Sequence, residues 1–333
     1  MTPTTVAIDV AKRAEAGEDG VRLDDSSNRC YYLVGDVKVF LTSTYPEDSP
    51  GYEKVTHTPE GAKIRDIMHN RRKYNISSTT LSTVSVYYWV YDREHENPLL
   101  IELGDRTSCY AVEHSDSLKN VNSLSKYSLI QLLDGFNCIY NNAHNIDLSR
   151  IHDYVCIFEG CREVIAVNST PFCNYIKHSH SIPHKNNGFK ISALIYRGKR
   201  AMNIPIPAYA IKSFSVYYST CDVLLSYPLI VEFEQAEENG YEFYKIGGEL
   251  WKVVPMKEGP SSSEENNKIL KETLDDLMKT YFSTHKGEKS HINASIIVAG
   301  IAGGIASAGL LCFVALSLVP HAKTFLKTGK ALL

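Results

Sequence analysis

The chain has 333 residues, of which 44% are hydrophobic and 22% are charged, and its formal net charge at neutral pH is −3. Because it carries no basic stripe and no interleaved arginine and aromatic residues, nucleic acid is excluded as a predicted partner. The length suits two domains of ordinary size, and the 21 tyrosines favour β-structure.

The N-terminal residues 1–20 contain no apolar run of the kind found in a secretory signal peptide, so none is predicted. The segments that follow are rich in valine, isoleucine, tyrosine and phenylalanine, which suit strands. Many short strands at close spacing favour a sandwich or barrel over alternating strands and helices. Apart from the repeated segment described next, strands are predicted at 29–34, 37–43, 109–113, 154–158, 163–168, 189–196, 203–207 and 241–246.

One segment of the chain occurs twice. Residues 84–103 read VSVYYWVYDREHENPLLIEL and residues 214–233 read FSVYYSTCDVLLSYPLIVEF, with eight of twenty positions identical. Weaker matches flank both copies in the same order, with spacings that differ by up to about fifteen residues, as loops of variable length would produce. The sequence therefore predicts two units, 6–143 and 144–283.

Each copy of the segment predicts a hairpin. Apolar and other residues alternate from Val84 to Trp89, residues 92–98 are polar and turn-like, and 99–103 form a short apolar run. A helix is predicted to close each unit, with apolar residues near helical spacing from Leu124 to Phe136 in the first unit and, after Glu264 and Glu265, from Ile269 to Met278 in the second. The predicted fold class is mainly β, with two tandem antiparallel β-sandwich-like domains, each closed by an α-helix, followed by one C-terminal transmembrane helix.

The polar residues shared by the two copies favour structural roles over catalysis. Asp92 and Asp222 are predicted to stabilise the turns, and Glu102 and Glu232 to lie on the solvent face of a strand. One ring of the Tyr87-Tyr88 pair is predicted in the core and the other on the surface.

No catalytic motif is present, so no catalytic, cofactor-binding or metal-binding residue is predicted, and no cofactor. The densest polar cluster is KHSHSIPHK, with His178, His180 and His184. Two histidines that share a strand face suit zinc, but no cysteine or acidic third ligand lies nearby in sequence. An exposed polar loop is the preferred interpretation.

Seven cysteines lie outside the apolar C-terminal segment, and they do not fall at equivalent places in the two units. A disulfide framework essential to the fold would have been duplicated with it, so these cysteines are predicted to be mostly free thiols or local additions. That pattern favours a reducing compartment. Whether the glycosylation triplets at Asn75 and Asn168 are used is left open.

After a short linker, 284–293, residues 294–319 contain no charged residue and are long enough to span a bilayer. A short basic tail, 320–333, follows. Gly300, Gly304 and Ala308 fall on one helix face, where a second helix could approach closely, so a homo-oligomer formed through this face is one interpretation. The sequence predicts a single-pass membrane protein and leaves its orientation open.

The phrases SVYYWVYDREHENPLLIELG, FSVYYSTCD, YPLIVEFE and LLDGFNC, with the Gly/Ala-rich C-terminal segment, resemble a lineage-expanded family of uncharacterised piroplasm proteins (Theileria and Babesia relatives). The resemblance covers nearly the whole chain. It implies tandem domains with a terminal hydrophobic segment, and a surface or host-interaction role. It implies no activity and no functional residues.

The predicted function is a non-enzymatic, membrane-anchored binding protein with two β-modules, at a parasite surface or host-facing membrane, whose ligand is an unknown protein or glycan. The alternatives are a tail-anchored cytosolic scaffold and a membrane-anchored hydrolase or metal enzyme. Binding is predicted in the loops where the two copies differ most. These contain Arg93, Glu94, His95 and Glu96 in the first unit and Val223, Leu224 and Leu225 in the second.

Overall fold

The computed structural model describes residues 4–17, 20–74, 81–104, 108–112, 118–121, 127–156, 161–201, 204–237, 240–247, 250–256 and 263–284. One structural unit, Met1–Ser283, contains both predicted repeats.

The first predicted unit ends in a helix, α1 (Leu129–Tyr140). Its strands are β1 (Thr5–Asp9), β2 (Arg22–Asp24), β3 (Arg29–Val34), β4 (Val37–Thr44), β5 (Tyr52–Pro59), β6 (Lys63–His69), β7 (Arg72–Tyr74), β8 (Val84–Trp89), β9 (Leu100–Leu103), β10 (Ser108–Val112) and β11 (Leu118–Asn120). They form a large sheet of order β11-β10-β9-β8-β5-β4-β3-β2 and a small sheet of order β1-β6-β7.

The second predicted unit repeats this plan and ends in α2 (Glu264–Thr284). Its strands are β12 (Ala143–Asp147), β13 (Tyr154–Val155), β14 (Val164–Phe172), β15 (Tyr175–Ser181), β16 (Lys190–Tyr196), β17 (Lys199–Arg200), β18 (Ile211–Ser219), β19 (Ile230–Gln235), β20 (Tyr241–Gly247) and β21 (Leu250–Val253). The large sheet has the order β13-β14-β15-β18-β19-β20-β21, and the small sheet β12-β16-β17.

Each large sheet is antiparallel, whereas each small sheet contains a parallel pair. Strand β1 runs parallel to β6, and β12 runs parallel to β16. The register shifts between Val6 and Ala7 in one pair and between His144 and Asn145 in the other. Val6 and His144 occupy equivalent positions in the predicted repeat, so both units contain the same irregularity at the same place.

Apolar layers cover both faces of each large sheet. Tyr88 of β8 packs in a cluster with Ile8 of the small sheet, and its neighbour Tyr87 packs on the other face with Leu133 of α1. All six residues of β8 are therefore buried. A strand covered on both faces loses the alternation of buried and exposed residues that marks a half-exposed strand.

Helix α1 begins with a capping box, in which Ser128 accepts a bond from the Gln131 amide and Gln131 bonds back to the Ser128 amide. Helix α2 carries Glu264 and Glu265 in its first turn, where negative charge is favourable. Both helices were predicted from their apolar spacing, and each packs its apolar side on the large sheet of its own unit.

Helix α1 also joins the two units. Asp134 accepts a hydrogen bond from Tyr52 of the first unit (2.7 Å) and another from Asn145 of the second (2.9 Å). It also forms an ion pair with Arg200 of the second unit. Tyr52 and Ser192 share a further hydrogen bond of 3.0 Å across the junction.

The predicted content of mainly β-structure is confirmed, but the predicted fold class is wrong as a whole. Among the described residues, no helix combines the length and the apolarity that crossing a bilayer requires. The predicted span, 294–319, lies outside the described residues, as do Gly300, Gly304 and Ala308. The small sheets also contain parallel pairs, which the antiparallel prediction omitted. Residues 204–207, predicted as strand, form none.

Candidate functional site

Each unit contains a lysine–glutamate pair at equivalent positions, in which the glutamate is buried and the lysine half-buried. Lys54 lies 2.8 Å from Glu102, and Lys177 lies 2.8 Å from Glu232. Both glutamates are almost fully buried, and Glu232 is only 2% exposed. The prediction that they lie on the solvent face is therefore wrong, because the helix of each unit covers that face of the sheet.

A buried tyrosine completes each pair. The Tyr87 hydroxyl donates to Glu102 (3.1 Å), and the Tyr217 hydroxyl donates to Glu232 (2.6 Å). Burial, reinforced by the adjacent carboxylate, raises the pKa of both tyrosines, so each hydroxyl keeps its proton and remains a donor. Because Tyr88 is buried as well, the prediction of one core ring and one surface ring is wrong.

The two pairs differ in what covers them. In the second unit, Phe243 stands opposite Glu232 in the ladder, and Phe172 packs edge-on against Tyr217 at 5.9 Å. In the first unit, the smaller Cys109 stands opposite Glu102. A cavity of about 510 Å³ opens there, lined by Thr44, Pro46, Asp48, Lys54, Thr56, Tyr87, Glu102, Cys109 and Leu129.

Two of the three clustered histidines lie on a strand and not in an exposed loop, which corrects the prediction for them. His178 and His180 belong to β15 and are buried, whereas His184 lies outside the strand, is exposed and contacts Glu163 at 2.7 Å. His178 is bound by Ser169 (2.8 Å). The three side chains therefore do not converge on one point that could hold a metal.

His57 and His180 occupy equivalent core positions. His57 shares a hydrogen bond with Tyr32, and His180 shares one with Tyr154, both of 3.3 Å. Burial lowers the pKa of His57 to about 3 and that of His180 to about 4. Both rings are therefore neutral at physiological pH.

The two predicted binding loops share one backbone conformation. The His95 amide donates to the Asp92 carbonyl (3.1 Å), and the Leu225 amide donates to the Asp222 carbonyl (3.0 Å). His95 and Leu225 both have a positive φ, of 51° and 49°. This conformation is uncommon for residues other than glycine, and it recurs at the same loop position.

The repeated aspartates fix these loops from within. The Asp92 carboxylate accepts a bond from the Asn97 amide, and the Asp222 carboxylate accepts one from the Tyr227 amide, both at 2.8 Å. Short polar side chains stabilise turns in this way, by taking up backbone donors that the turn leaves unpaired.

Although the two loops share one backbone conformation, their exposed side chains differ in character. The tip of the first loop presents Arg93 and Glu94 to solvent, whereas His95 is buried. The tip of the second loop presents Val223, 72% exposed, and Leu224, 68% exposed. The two loops therefore offer solvent a charged tip and an apolar tip.

Four further residues converge in the described part of the chain. Cys138, His144, Cys156 and Cys161 place their ligand atoms within 4.8 Å of one another, and all four are buried. Cys138 and Cys161 are in disulfide contact, and no other described cysteine is in a disulfide, which agrees with the prediction of mostly free thiols or local additions. Sequence reasoning missed the group because it searched for CxxC spacing, whereas these ligands come from separate elements.

The triplet at Asn75 lies outside the described residues, whereas Asn168 is exposed on β14. Comparison with known proteins adds no relative, since no family model, curated protein or solved structure matches this chain.

Proposed function

We propose that this chain is a non-enzymatic binding protein that contacts a protein partner through the apolar tip of its second unit. The single observation that carries the proposal is the pair of loops described above. One backbone conformation carries a charged tip in the first unit and an apolar tip, Val223 and Leu224, in the second.

Hydrogen bonds hold the backbone of the second loop in place, while the side chains of Val223 and Leu224 at its tip remain exposed to solvent. Arg197 donates to the Leu224 carbonyl (3.1 Å) and to the Ser226 hydroxyl (2.8 Å), and the Tyr196 hydroxyl donates to the Leu225 carbonyl (2.7 Å). A loop ordered before binding loses less conformational entropy when a partner docks. Two exposed apolar side chains on an ordered loop can act as an anchor that inserts into an apolar pocket on the surface of a partner protein.

The enzymatic alternative finds less support. Of the three charged residues that line the first-unit cavity, Lys54 and Glu102 are already paired with each other, and Asp48 accepts a hydrogen bond from Ser49. A catalytic site needs titratable groups that converge on the substrate and are free to bond to it. In both units the equivalent lysine, glutamate and tyrosine instead satisfy one another.

Site-specific photocrosslinking tests the proposal. A benzophenone amino acid replaces Leu224 in the full chain, expressed in the cells that make the protein, and the matched control replaces Glu94 on the first loop. We expect one discrete adduct from position 224, lost when Val223→Arg is added, and none from position 94.

Two results would overturn the proposal. One is the absence of a position-224 adduct above the Glu94 control. The other is an adduct of twice the mass of the chain, because it would identify a second copy as the occupant of this tip.

A further inference from the structure

We propose that Cys138, His144, Cys156 and Cys161 form a zinc-binding site at the junction between the two units. All four side chains are buried, His144 completely, and their ligand atoms lie within 4.8 Å of one another. Three sulfurs and one imidazole nitrogen make up one of the usual ligand sets of structural zinc.

Two separations between the ligand atoms match those of a tetrahedron around zinc. Zn–S bonds of about 2.3 Å and Zn–N bonds of about 2.0 Å place sulfurs roughly 3.8 Å apart and sulfur and nitrogen roughly 3.5 Å apart. The Cys138 and Cys156 sulfurs are 3.8 Å apart, and the Cys161 sulfur lies 3.6 Å from His144 Nδ1. The Cys138 sulfur is nearer to that nitrogen, at 3.1 Å. To admit the ion, the Cys138 and Cys161 sulfurs, which are in disulfide contact, must move apart, and the Cys138 sulfur must move slightly away from Nδ1.

The orientation of His144 is an independent indication of a metal. Its Nε2 lies 3.0 Å from the Asn142 side-chain oxygen, and the Asn142 amide nitrogen donates to the Gly188 carbonyl at 3.1 Å. That second bond fixes which end of the amide faces the ring, so Nε2 carries the hydrogen and Nδ1 presents its lone pair to the three sulfurs. Metal-binding histidines are held by such an outer hydrogen bond.

The ligands come from four separate positions in the fold. Cys138 lies in the last turns of α1, His144 lies on β12, Cys156 directly follows β13, and Cys161 precedes β14. A bound ion would therefore tie the helix of the first unit to the sheets of the second. Because four protein ligands complete the coordination and burial excludes solvent, the site is structural and not catalytic.

Thiolate and imidazole ligands in a tetrahedron select zinc over calcium and magnesium, which require oxygen ligands. Zinc binds the reduced chain. Each of the three thiols gives up its proton to water, no electron is transferred, and the neutral imidazole donates its lone pair. The competing state is a Cys138–Cys161 disulfide, formed by exchange with an oxidised small-molecule disulfide such as oxidised glutathione, which takes up the two electrons and two protons and leaves as two thiols. Cys156 and His144 alone do not complete the zinc site.

Metal analysis of the full chain tests the site. The protein is expressed with added zinc and purified with a reducing agent and no chelator. Its zinc content is then measured by inductively coupled plasma mass spectrometry. We expect one zinc ion per chain, lost in Cys156→Ser and retained in Cys173→Ser, whose thiol is exposed. Asn142→Ala should weaken zinc binding about tenfold, because the ring loses its outer hydrogen bond.

A second measurement covers variants that fail to fold. Cobalt(II) added to the metal-depleted, reduced wild-type chain should give intense thiolate-to-cobalt charge-transfer bands and tetrahedral d–d bands. The proposal is overturned if the wild type holds no stoichiometric zinc, if Cys156→Ser retains it, or if these cobalt bands are absent. These readouts are independent of the crosslinking result, so either proposal can fail without the other.

Discussion

Single residues explain why this protein tolerates charges in its interior. Glu232 is almost fully buried, but Lys177 and the Tyr217 hydroxyl both bond to its carboxylate. A buried carboxylate without such partners would cost several kcal/mol. In both units the buried carboxylate is paired with a lysine and a tyrosine, which gives the recurrence of Glu102 and Glu232 a structural reason.

The buried histidines predict a loss of stability in mild acid. Burial lowers the pKa of His57 to about 3, below the value of roughly 6.5 expected in the unfolded chain. Below pH 6.5 the unfolded chain therefore binds a proton at this histidine, whereas the native protein does not. As a result, the free energy of unfolding falls by about 1.4 kcal/mol for each pH unit below that value. Urea unfolding at pH 7 and at pH 5.5 measures the effect.

The variant His57→Gln isolates this contribution, because every other titrating group remains. We expect the variant to lose about 1 kcal/mol less than the wild type between the two pH values. An equal loss in both proteins would show that His57 does not carry the predicted pKa shift.

At the scale of elements, the loop that enters β16 depends on a glycine. Gly188 has a φ of +76°, and a Cβ atom there would overlap the carbonyl oxygen of Ile211 and lie 2.8 Å from the Ala236 Cβ. Phe189 and Ile211 bond to each other just beyond this point. The close approach allows the chain just before β16 of the small sheet to pair with the start of β18 of the large sheet in the second unit.

We predict that Gly188→Ala destabilises the protein by about 3 kcal/mol or more, because it combines an unfavourable φ with a backbone clash. Gly198→Ala is the matched control, since Gly198 has the same φ of +76° and open space around it. The control should cost only about 1 kcal/mol. Equal shifts of the urea midpoint for the two variants would rule out the close approach as the cause.

At the scale of the whole molecule, Asp134 couples the two units through its bonds to Tyr52, Asn145 and Arg200. Its equivalent on α2, Asp275, bonds to Tyr175 of the same unit (2.9 Å) and to Lys271 of its own helix. The same tyrosine–aspartate contact therefore attaches a helix to its sheet in both units, but only the first also reaches across the junction.

We predict that Asp134→Ala destabilises the protein by about 3 kcal/mol and separates one cooperative unfolding transition into two. The matched variant Asp275→Ala should cost less and leave the transition single, because it breaks no contact between units. Differential scanning calorimetry on reduced, metal-depleted protein measures both, because a zinc ion at Cys138, His144, Cys156 and Cys161 would otherwise hold the two units together by itself. A single sharp transition in Asp134→Ala would contradict the coupling role.

Local features of the sequence were the most predictable. The two helices follow from apolar residues at helical spacing, and the loops at 92–98 and 222–228 follow from aspartate and proline at their ends. The burial of Glu102 and His180 was not predictable in this way, because it depends on which elements cover the sheet faces on which they lie. The parallel pairing of β1 with β6 was missed because strand alternation does not encode partner direction.

The sequence by itself determined the β-rich character, the closing helices and the turn residues, because each of these depends on residues close together in the chain. Only the tertiary structure decided which polar residues are internal and that two loops of one conformation carry unlike tips. It also decided that Cys138, His144, Cys156 and Cys161 meet. These features arise where elements far apart in the chain come together in the fold. A local sequence pattern does not show which distant elements will meet.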